Sequence, residues 1–327
     1  MVIEVDRCDS AVGADEIKAL FVRNERPTFP TCFQRAYSYA ASTGGLRWIA
    51  RAAQGTIIGH LAAFPRMFRT AARVTRAALL VDLLFDAAHR NFWAAVELLR
   101  RAVADLTEAG DFDFAYSDPT PPGAVILKAA GFTTVDTLER FVVPLNRLYL
   151  KGFRIVSRVA PLSIERLGDR EEQRLVDALN TLPQGRCFRG HRSLESYRTR
   201  LGGDTIPEWE WLLLRPYPEP AATVVAVGLT GGPRSGKTQS LFDVIWDEGR
   251  VSPASVAHAI ARTATDDRHQ RLATWTLGQS AFARALRRCG FIARRDGLPV
   301  YCRVVREGGV LPSSGDWLLT YFDGSAW

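Results

Sequence analysis

The chain has 327 residues, 47% of them hydrophobic and 24% charged, with 26 glycines and 17 prolines. That composition excludes collagen-like, low-complexity and wholly disordered chains, and at roughly 150 residues per domain the length predicts two domains. Lysine and arginine total 42 against 35 acidic residues, a formal net charge of +7, which permits a phosphate-bearing partner without arguing for one. All the basic residues except Lys18, Lys128, Lys151 and Lys237 are arginine, a skew that looks like genome base composition. The cysteines Cys8, Cys32, Cys187, Cys289 and Cys302 are odd in number and scattered, which argues against a disulfide framework and a structural zinc; no metal is expected. The first twenty residues are too acidic and polar for a signal peptide, and no run approaches the ~18 apolar residues of a membrane span. The expectation is a soluble, cytoplasmic protein with no membrane partner.

In chain order, residues 46–52 and 56–68 read as strands around a turn at Gln54-Gly55. Residues 74–85 form a long apolar run, too continuous for a one-faced edge strand, and so a central one. Val96, Leu99, Val103 and Leu106 recur at helical spacing within 93–109, and Gly110 ends that helix. A strand at 111–117, a short helix at 124–130 closed by Gly131, and a strand at 137–143 complete the first half. After a crossover at 148–161 the pattern recurs, with strands at 210–214, 222–229 and 239–246. A helix at 253–264 comes next, opened by Ser252 with Pro253 at its first position. Then come a strand at 272–277, a helix at 281–289 and a strand at 300–304.

The chain therefore repeats itself. RAALLVDLLFD (76–86) matches TQSLFDVIWD (238–247), so Asp82 and Asp86 lie 161 positions before Asp243 and Asp247. Gly131-Phe132 and Gly290-Phe291 lie 159 apart. Two landmarks that agree within two residues predict a duplicated unit, divided as 1–147, a linker at 148–162, and 163–327. The charge surplus is uneven: residues 1–150 carry 17 basic and 16 acidic side chains, and the rest 25 and 19.

The order strand–strand–strand–helix–strand–helix-Gly-Phe–strand resembles the GNAT superfamily of acyl-CoA-dependent N-acyltransferases. The likeness covers most of 1–145 and, more weakly, 165–305, and its most specific pieces are LLVDLLFDAAHR (79–90) and LKAAGF (127–132). It implies an α/β protein of α+β mixed-sheet type: two GNAT-like repeats, each a mostly antiparallel twisted sheet flanked by helices. In such a fold the fourth and fifth strands splay, and acyl-CoA, the expected cosubstrate, lies in the notch. Its thioester carbonyl would meet backbone N–H groups of Leu83, Leu84 and Phe85. Its pyrophosphate would meet the next helix start, at Arg90, Asn91, Trp93, Ala94 and Ala95.

Departures from the family are equally specific. Where its phosphate loop reads Arg/Gln-x-x-Gly-x-Gly/Ala, this chain keeps Arg90 and Ala95 but puts Trp93 at the central glycine, where it covers the cradle or packs into the sheet. The second repeat, with Asp247-Glu248-Gly249-Arg250-Val251-Ser252, offers pyrophosphate only repulsion and reads as degenerate. The family's frequent acid, a tyrosine four residues before Gly-Phe, is replaced by Leu127 and Leu286. Acid–base candidates are then Tyr116 and Asp118 at the end of the fifth strand, with His60 and Asp82 on neighbouring strands; each also has a purely structural explanation.

Two further features stand apart. Gly231-Gly232-Pro233-Arg234-Ser235-Gly236-Lys237-Thr238 matches the phosphate-binding loop G-x-x-x-x-G-K-[ST], but residues 239–246 are β-branched and aromatic where that loop needs a helix, so a hairpin loop is expected. The tail carries Trp317, Tyr321, Phe322 and Trp327, too aromatic for a frayed end, and is expected to dock. Cys32 lies in the segment 24–35, where GNAT proteins place a substrate-shaping loop. The functional expectation is an N-acyltransferase that moves an acyl group from acyl-CoA to a small-molecule amine acceptor by direct attack. The alternatives are a transferase of the same tandem fold with an acyl-carrier-protein or aminoacyl-tRNA donor, or a non-catalytic binding module.

Overall fold

The computed structural model describes residues 3–8, 13–24, 44–70, 72–145, 162–167, 172–181, 188–192, 209–216, 224–229, 238–266, 270–294, 296–320 and 323. The first half holds β1 (Glu4–Cys8), α1 (Ala14–Arg23), β2 (Leu46–Arg51), β3 (Ile57–Arg69) and β4 (Val74–Phe85). A 3₁₀ turn (Ala87–His89), α2 (Phe92–Ala109), β5 (Phe114–Ser117), α3 (Pro121–Ala129) and β6 (Thr133–Pro144) follow. The second half holds β7 (Leu162–Leu167), α4 (Glu172–Thr181), β8 (Phe188–Gly190), β9 (Trp209–Pro216), β10 (Val224–Leu229) and β11 (Thr238–Trp246). It closes with α5 (Pro253–Asp266), β12 (Arg271–Leu277), α6 (Ala281–Arg288), β13 (Ile292–Ala293), β14 (Leu298–Val304) and β15 (Trp317–Leu318).

The apolar run at β4 is a strand with the bounds its sequence predicts, buried along most of its length. Gly110 ends α2 with φ 65, a left-handed turn that glycine enters at no steric cost. Thr238 opens a strand and not a helix, as its β-branched and aromatic successors require; residues 231–237 lie outside the described set. Elements β1, α1, β7, α4 and β8, which the sequence analysis does not single out, frame the sheet.

All the described strands belong to one sheet, whose main path runs β1-β2-β3-β4-β5-β14-β6-β12-β11-β10-β9-β7. Read inward from both ends, the order is the same in the two halves until the centre, where the last strands are exchanged. β14, from the second half, pairs with β5 (Tyr301↔Ser117 to Val304↔Phe114), while β6, from the first, pairs with β12 (Arg271↔Pro144 to Leu277↔Leu138). β14 and β6 then pair with each other. The inner edge of each half is thus covered by the other half's chain, and no polar edge is left open at the middle. The sheet crosses the 148–162 linker of the sequence division, of which only Leu162 is described.

Three cores pad this sheet. Trp48, Leu61, Leu98, Leu99, Leu106 and Leu127 join α2 and α3 to one face of the first half. Ile17, Leu20 and Phe21 of α1, with Phe64, Phe68, Phe114 and Tyr116, fill the other face. Val256, Ile260, Phe282 and Leu286 place α5 and α6 on the second half. The C-terminal segment docks as expected: Trp317 is fully buried among Phe68, Phe114, Tyr116 and Phe188, with ring centroids 5.6 Å from Phe68 and 5.7 Å from Tyr116. Tyr321, Phe322 and Trp327 lie outside the described residues. No described helix is long and apolar enough to cross a membrane.

A buried ionic cluster fastens that segment. Arg192 donates to Asp243 at 2.5 and 3.0 Å and to Asp323 at 2.8 Å, while Thr320 Oγ1 donates to Asp243 at 2.6 Å. Burial opposes the guanidinium's charge, but the two carboxylates outweigh it and hold the Arg192 pKa well above its ordinary value. Replacing Arg192 by alanine leaves two carboxylates buried without their cation and should lower the unfolding free energy in urea by about 3–5 kcal/mol. A loss of under about 1 kcal/mol would show that the cluster does not hold the segment.

Candidate active site

β4 and β5 run parallel only from Ala77↔Phe114 to Leu79↔Tyr116. Ser117, the last residue of β5, turns its hydroxyl onto the Leu80 carbonyl (2.9 Å), and β4 then continues to Phe85 paired only with β3. The parting coincides with a bulge. Ala62 pairs with Val81 and His60 with Leu84, so Asp82 and Leu83 stand opposite Leu61 alone. Asp82 takes φ 58, the one positive φ of a non-glycine residue in the described chain. A left-handed residue costs about 1–2 kcal/mol, least for Asp, Asn and Gly, so an aspartate is among the residues best able to sit there.

His60 holds this bulge. Its Nδ1 lies 3.2 Å from the Asp82 carbonyl oxygen, which can only accept, so Nδ1 carries the proton. The imidazole is fully buried against Phe21, ring centroids 5.7 Å apart. Burial first, and the charge of Arg47 as well, push its pKa down to about 3 in spite of the bond to Asp82. His60 is therefore a neutral strut within the sheet and not the acid–base group expected from the sequence.

The parted strands enclose a cleft of about 200 Å³. Phe21, Leu61 and residues 80–84 form one side; Leu99, Ser117, Asp118, Pro119, Thr120, Gly123 and Leu127 form the other. Of the residues expected at the site, it gathers Asp82, Asp118, Leu83 and Leu84. The Phe85 side chain lies in the core, and its ring is why position 59 is glycine: a Cβ there would stand 2.6 Å from Phe85 Cζ. Tyr116 is also displaced from its expected role, because its side chain joins the aromatic cluster and its hydroxyl donates to the Asp323 carbonyl at 2.8 Å. Phe21, Ser117, Leu99, Thr120 and Gly123 join the cleft without having been expected there. The Ile17, Leu20, Phe21 spacing in α1 is the one sequence signal for Phe21.

The start of α2 stands beside the cleft-forming strand. Asn91 caps it, its Oδ1 accepting from Trp93 N (2.8 Å) and Ala94 N (3.3 Å). Ala94 and Ala95 are buried under the helix, but Trp93 is 67% exposed and meets Phe92 edge-on at 5.1 Å. The indole therefore neither packs into the sheet nor lines the notch. Arg90 donates to Asn24 Oδ1 (3.1 Å), and Arg23 Nε to Asp86 (2.9 Å), so two polar contacts tie the end of α1 to the β4–α2 connection. The Arg23 bond in particular lowers the Asp86 pKa below its ordinary value. At α3, Pro121 and Pro122 occupy the first turn and bring no N–H donors to the cleft rim.

No protein-family model and no curated protein matches the chain. Solved structures do. A conserved protein of Enterococcus faecalis V583 called a probable N-acyltransferase aligns over 96% of this chain and 75% of its own, with TM-score 0.69 and 11% identity. A GCN5-related N-acetyltransferase of Anabaena variabilis covers 92% and 73% at TM-score 0.66 and 12% identity. The chain has the fold of these structures. A tandem GNAT protein from the clavulanic acid biosynthesis pathway, at TM-score 0.54 and 12% identity, covers 93% of this chain and 99% of its own, so the GNAT likeness extends over both halves.

In the second half of the chain, β11 and β12 part after Leu241↔Thr274, as β4 and β5 do after Leu79↔Tyr116. That notch holds chain: Thr320 bridges to Thr276, and Asp323 reaches Arg192 beside Asp243, the counterpart of Asp82. Asp247 is committed to its own loop, accepting from Gly249 N at 3.0 Å.

The His60 strut makes a pH prediction. Its folded pKa of about 3 lies below the ordinary 6.5, so between those values the unfolded chain binds a proton that the folded one does not. Stability supplied by the neutral imidazole is whole above pH 6.5 and falls with decreasing pH, by about 1.4 kcal/mol per unit within the window. A His60→Asn variant should show a shallower decline in urea stability from pH 6.5 to 3 than the parent. Parallel curves would refute the buried neutral histidine.

Proposed function

We propose that the protein is an N-acyltransferase that transfers an acyl group from acyl-CoA to a small-molecule amine. The observation that carries this reading is the cleft itself, opened by the parting of β4 and β5 after Leu79↔Tyr116 and by the Asp82 bulge. The donor's thioester arm lies between the parted strands, its carbonyl oxygen facing backbone N–H groups of Leu83 and Leu84. The amine nitrogen attacks the thioester carbon, the C–N bond forms, and the C–S bond breaks as the tetrahedral oxyanion collapses. Asp118, buried and in the cleft, takes the amine proton directly or through a water, with Asp82 as the second carboxylate of the same cleft. Leu127 lines the cleft where the family's tyrosine would stand, so that position offers the departing thiolate no proton; the carboxylate that took the amine's proton returns it.

Arg90 and the start of α2 receive the donor's pyrophosphate in this proposal. Asn91 already engages two of the N–H groups concerned, and this favours, as a second reading, a donor held less by phosphate: an acyl-carrier protein or an aminoacyl-tRNA that meets the exposed Phe92–Trp93 pair. Division of the chain into units at 1–147 and 163–327, joined by 148–162, belongs to the same proposal.

Thiol release from acetyl-CoA in the presence of a panel of amines tests the transfer. Asp118→Asn should lower turnover by about 10²–10⁴-fold with donor affinity kept. Arg90→Ala should raise the coenzyme A dissociation constant several-fold. If coenzyme A and acetyl-CoA fail to bind the parent protein in calorimetry, the coenzyme donor is wrong and the carrier reading takes its place.

A further inference from the structure

We propose that the notch of the second half retains a binding site of its own, for a neutral molecule that carries a hydroxyl or carbonyl oxygen on a ring or short chain. The C-terminal segment enters that notch at Thr320 and Asp323. Below it, between the end of β11 and the starts of α5 and α6, lies a cavity of about 200 Å³ whose walls include Trp246, Glu248, Pro253, Ser280, Phe282 and Trp317. Both tryptophans are buried, at 1% and 0% exposure, and the indole Nε1 of each is without a hydrogen-bond partner among the described residues. A buried donor left unmatched costs about 1–3 kcal/mol, and both of these donors belong to side chains that line the cavity, so an acceptor bound there is what would relieve that cost.

Charge selects the kind of acceptor. The first residue of α5, Pro253, and the N-cap of α6, Ser280, both reach the cavity, and helix starts carry partial positive charge that disfavours a cation. Glu248, 4.0 Å from Arg189, brings a carboxylate that disfavours an anion. A neutral oxygen that accepts from the indoles offends neither. Size is set by volume: a cavity of about 150 Å³ takes benzene, so this one has room for a ring with one polar substituent, about eight heavy atoms. Trp246 and Phe282, ring centroids 5.3 Å apart, supply the apolar wall. The site is independent of the donor and acceptor assigned to the first cleft.

Benzyl alcohol is the probe, with toluene, benzylamine and benzoate as analogues of one shape that differ in acceptor or charge. In the ¹⁵N-labelled full chain, benzyl alcohol at millimolar concentration should shift two indole N–H signals, one of them identified as Trp246 by its loss in Trp246→Phe. Toluene, which lacks an acceptor, should shift those signals markedly less than benzyl alcohol, and benzylamine and benzoate should bind about tenfold more weakly or worse. Gly315→Leu is the blocking variant: Gly315 lines the cavity and a Cβ there meets nothing within 4 Å, so the larger side chain is accommodated at the cavity wall without a clash, and the shifts should vanish. Indole signals that do not move in the parent, that move equally with toluene or the charged analogues, or that persist in a folded Gly315→Leu protein would each overturn the proposal.

Discussion

The exchange of β6 and β14 is the constraint on which the remaining architecture rests. β5 is only four residues long and gives up its parallel partner after Leu79↔Tyr116; by itself it would be a poor wall for a cleft. It stands because β14, arriving from the far end of the chain, pairs along its other edge from Phe114 to Ser117. β12 receives β6 in the same way. Neither half can complete its sheet until the other has folded, and pairing between residues almost two hundred positions apart carries a heavy loop-closure cost that the buried centre of the sheet must offset. Asp118, the residue after β5, inherits its position from that long-range pairing.

Within this frame the two halves use one geometry in opposite ways. Each has a parallel strand pair that parts and an aspartate just beyond the parting, Asp82 or Asp243. At Asp82 the strand bulges, His60 secures the carbonyl from behind, and the cleft stays open. At Asp243 the carboxylate is consumed by Arg192, Val244 N and Thr320, and chain occupies the opening. One guanidinium facing two buried carboxylates is an expensive arrangement beside an apolar one of similar volume. Its return is specificity: the planar fork of Arg192 meets Asp243 and Asp323 from a single position, which fixes where the C-terminal segment sits and therefore where Trp317 enters the aromatic cluster.

Sequence pattern reaches the local structure and stops at the long-range one. The run 74–85 reads as a central strand because continuous apolar residues have no other place in a sheet; α2 can be bounded because Gly110 has a conformational reason to end it. The strand exchange is not legible, since the pattern of β14 is that of any buried strand and does not name its neighbour. His60 and Tyr116 mislead for one reason. A titratable side chain on a strand reads as an available group, whereas facing direction and burial decide whether it meets solvent or core, and both turn into packed faces. Arg192 lies in a stretch without periodicity and carries no signal, although its partner Asp243 stands out through its match to Asp82.

Electrostatics at the two helix starts separates the halves further. An α-helix begins with N–H groups that must find acceptors whether or not a ligand is present. In α2 that acceptor is the neutral side chain of Asn91, and in α5 it is Ser252, whose hydroxyl accepts from Ser255 N. An arriving phosphate offers a charged acceptor, and charge-assisted bonds are roughly twice as strong as neutral ones, so an asparagine can be exchanged for it at a gain. The same exchange at α5 would bring phosphate toward the buried Asp247 and half-buried Glu248 carboxylates, whose repulsion cancels that gain. On the proposed function, then, the neutrality of one cap and the acidity of the other loop, more than the missing glycine at Trp93, decide which half can hold a phosphate-bearing donor.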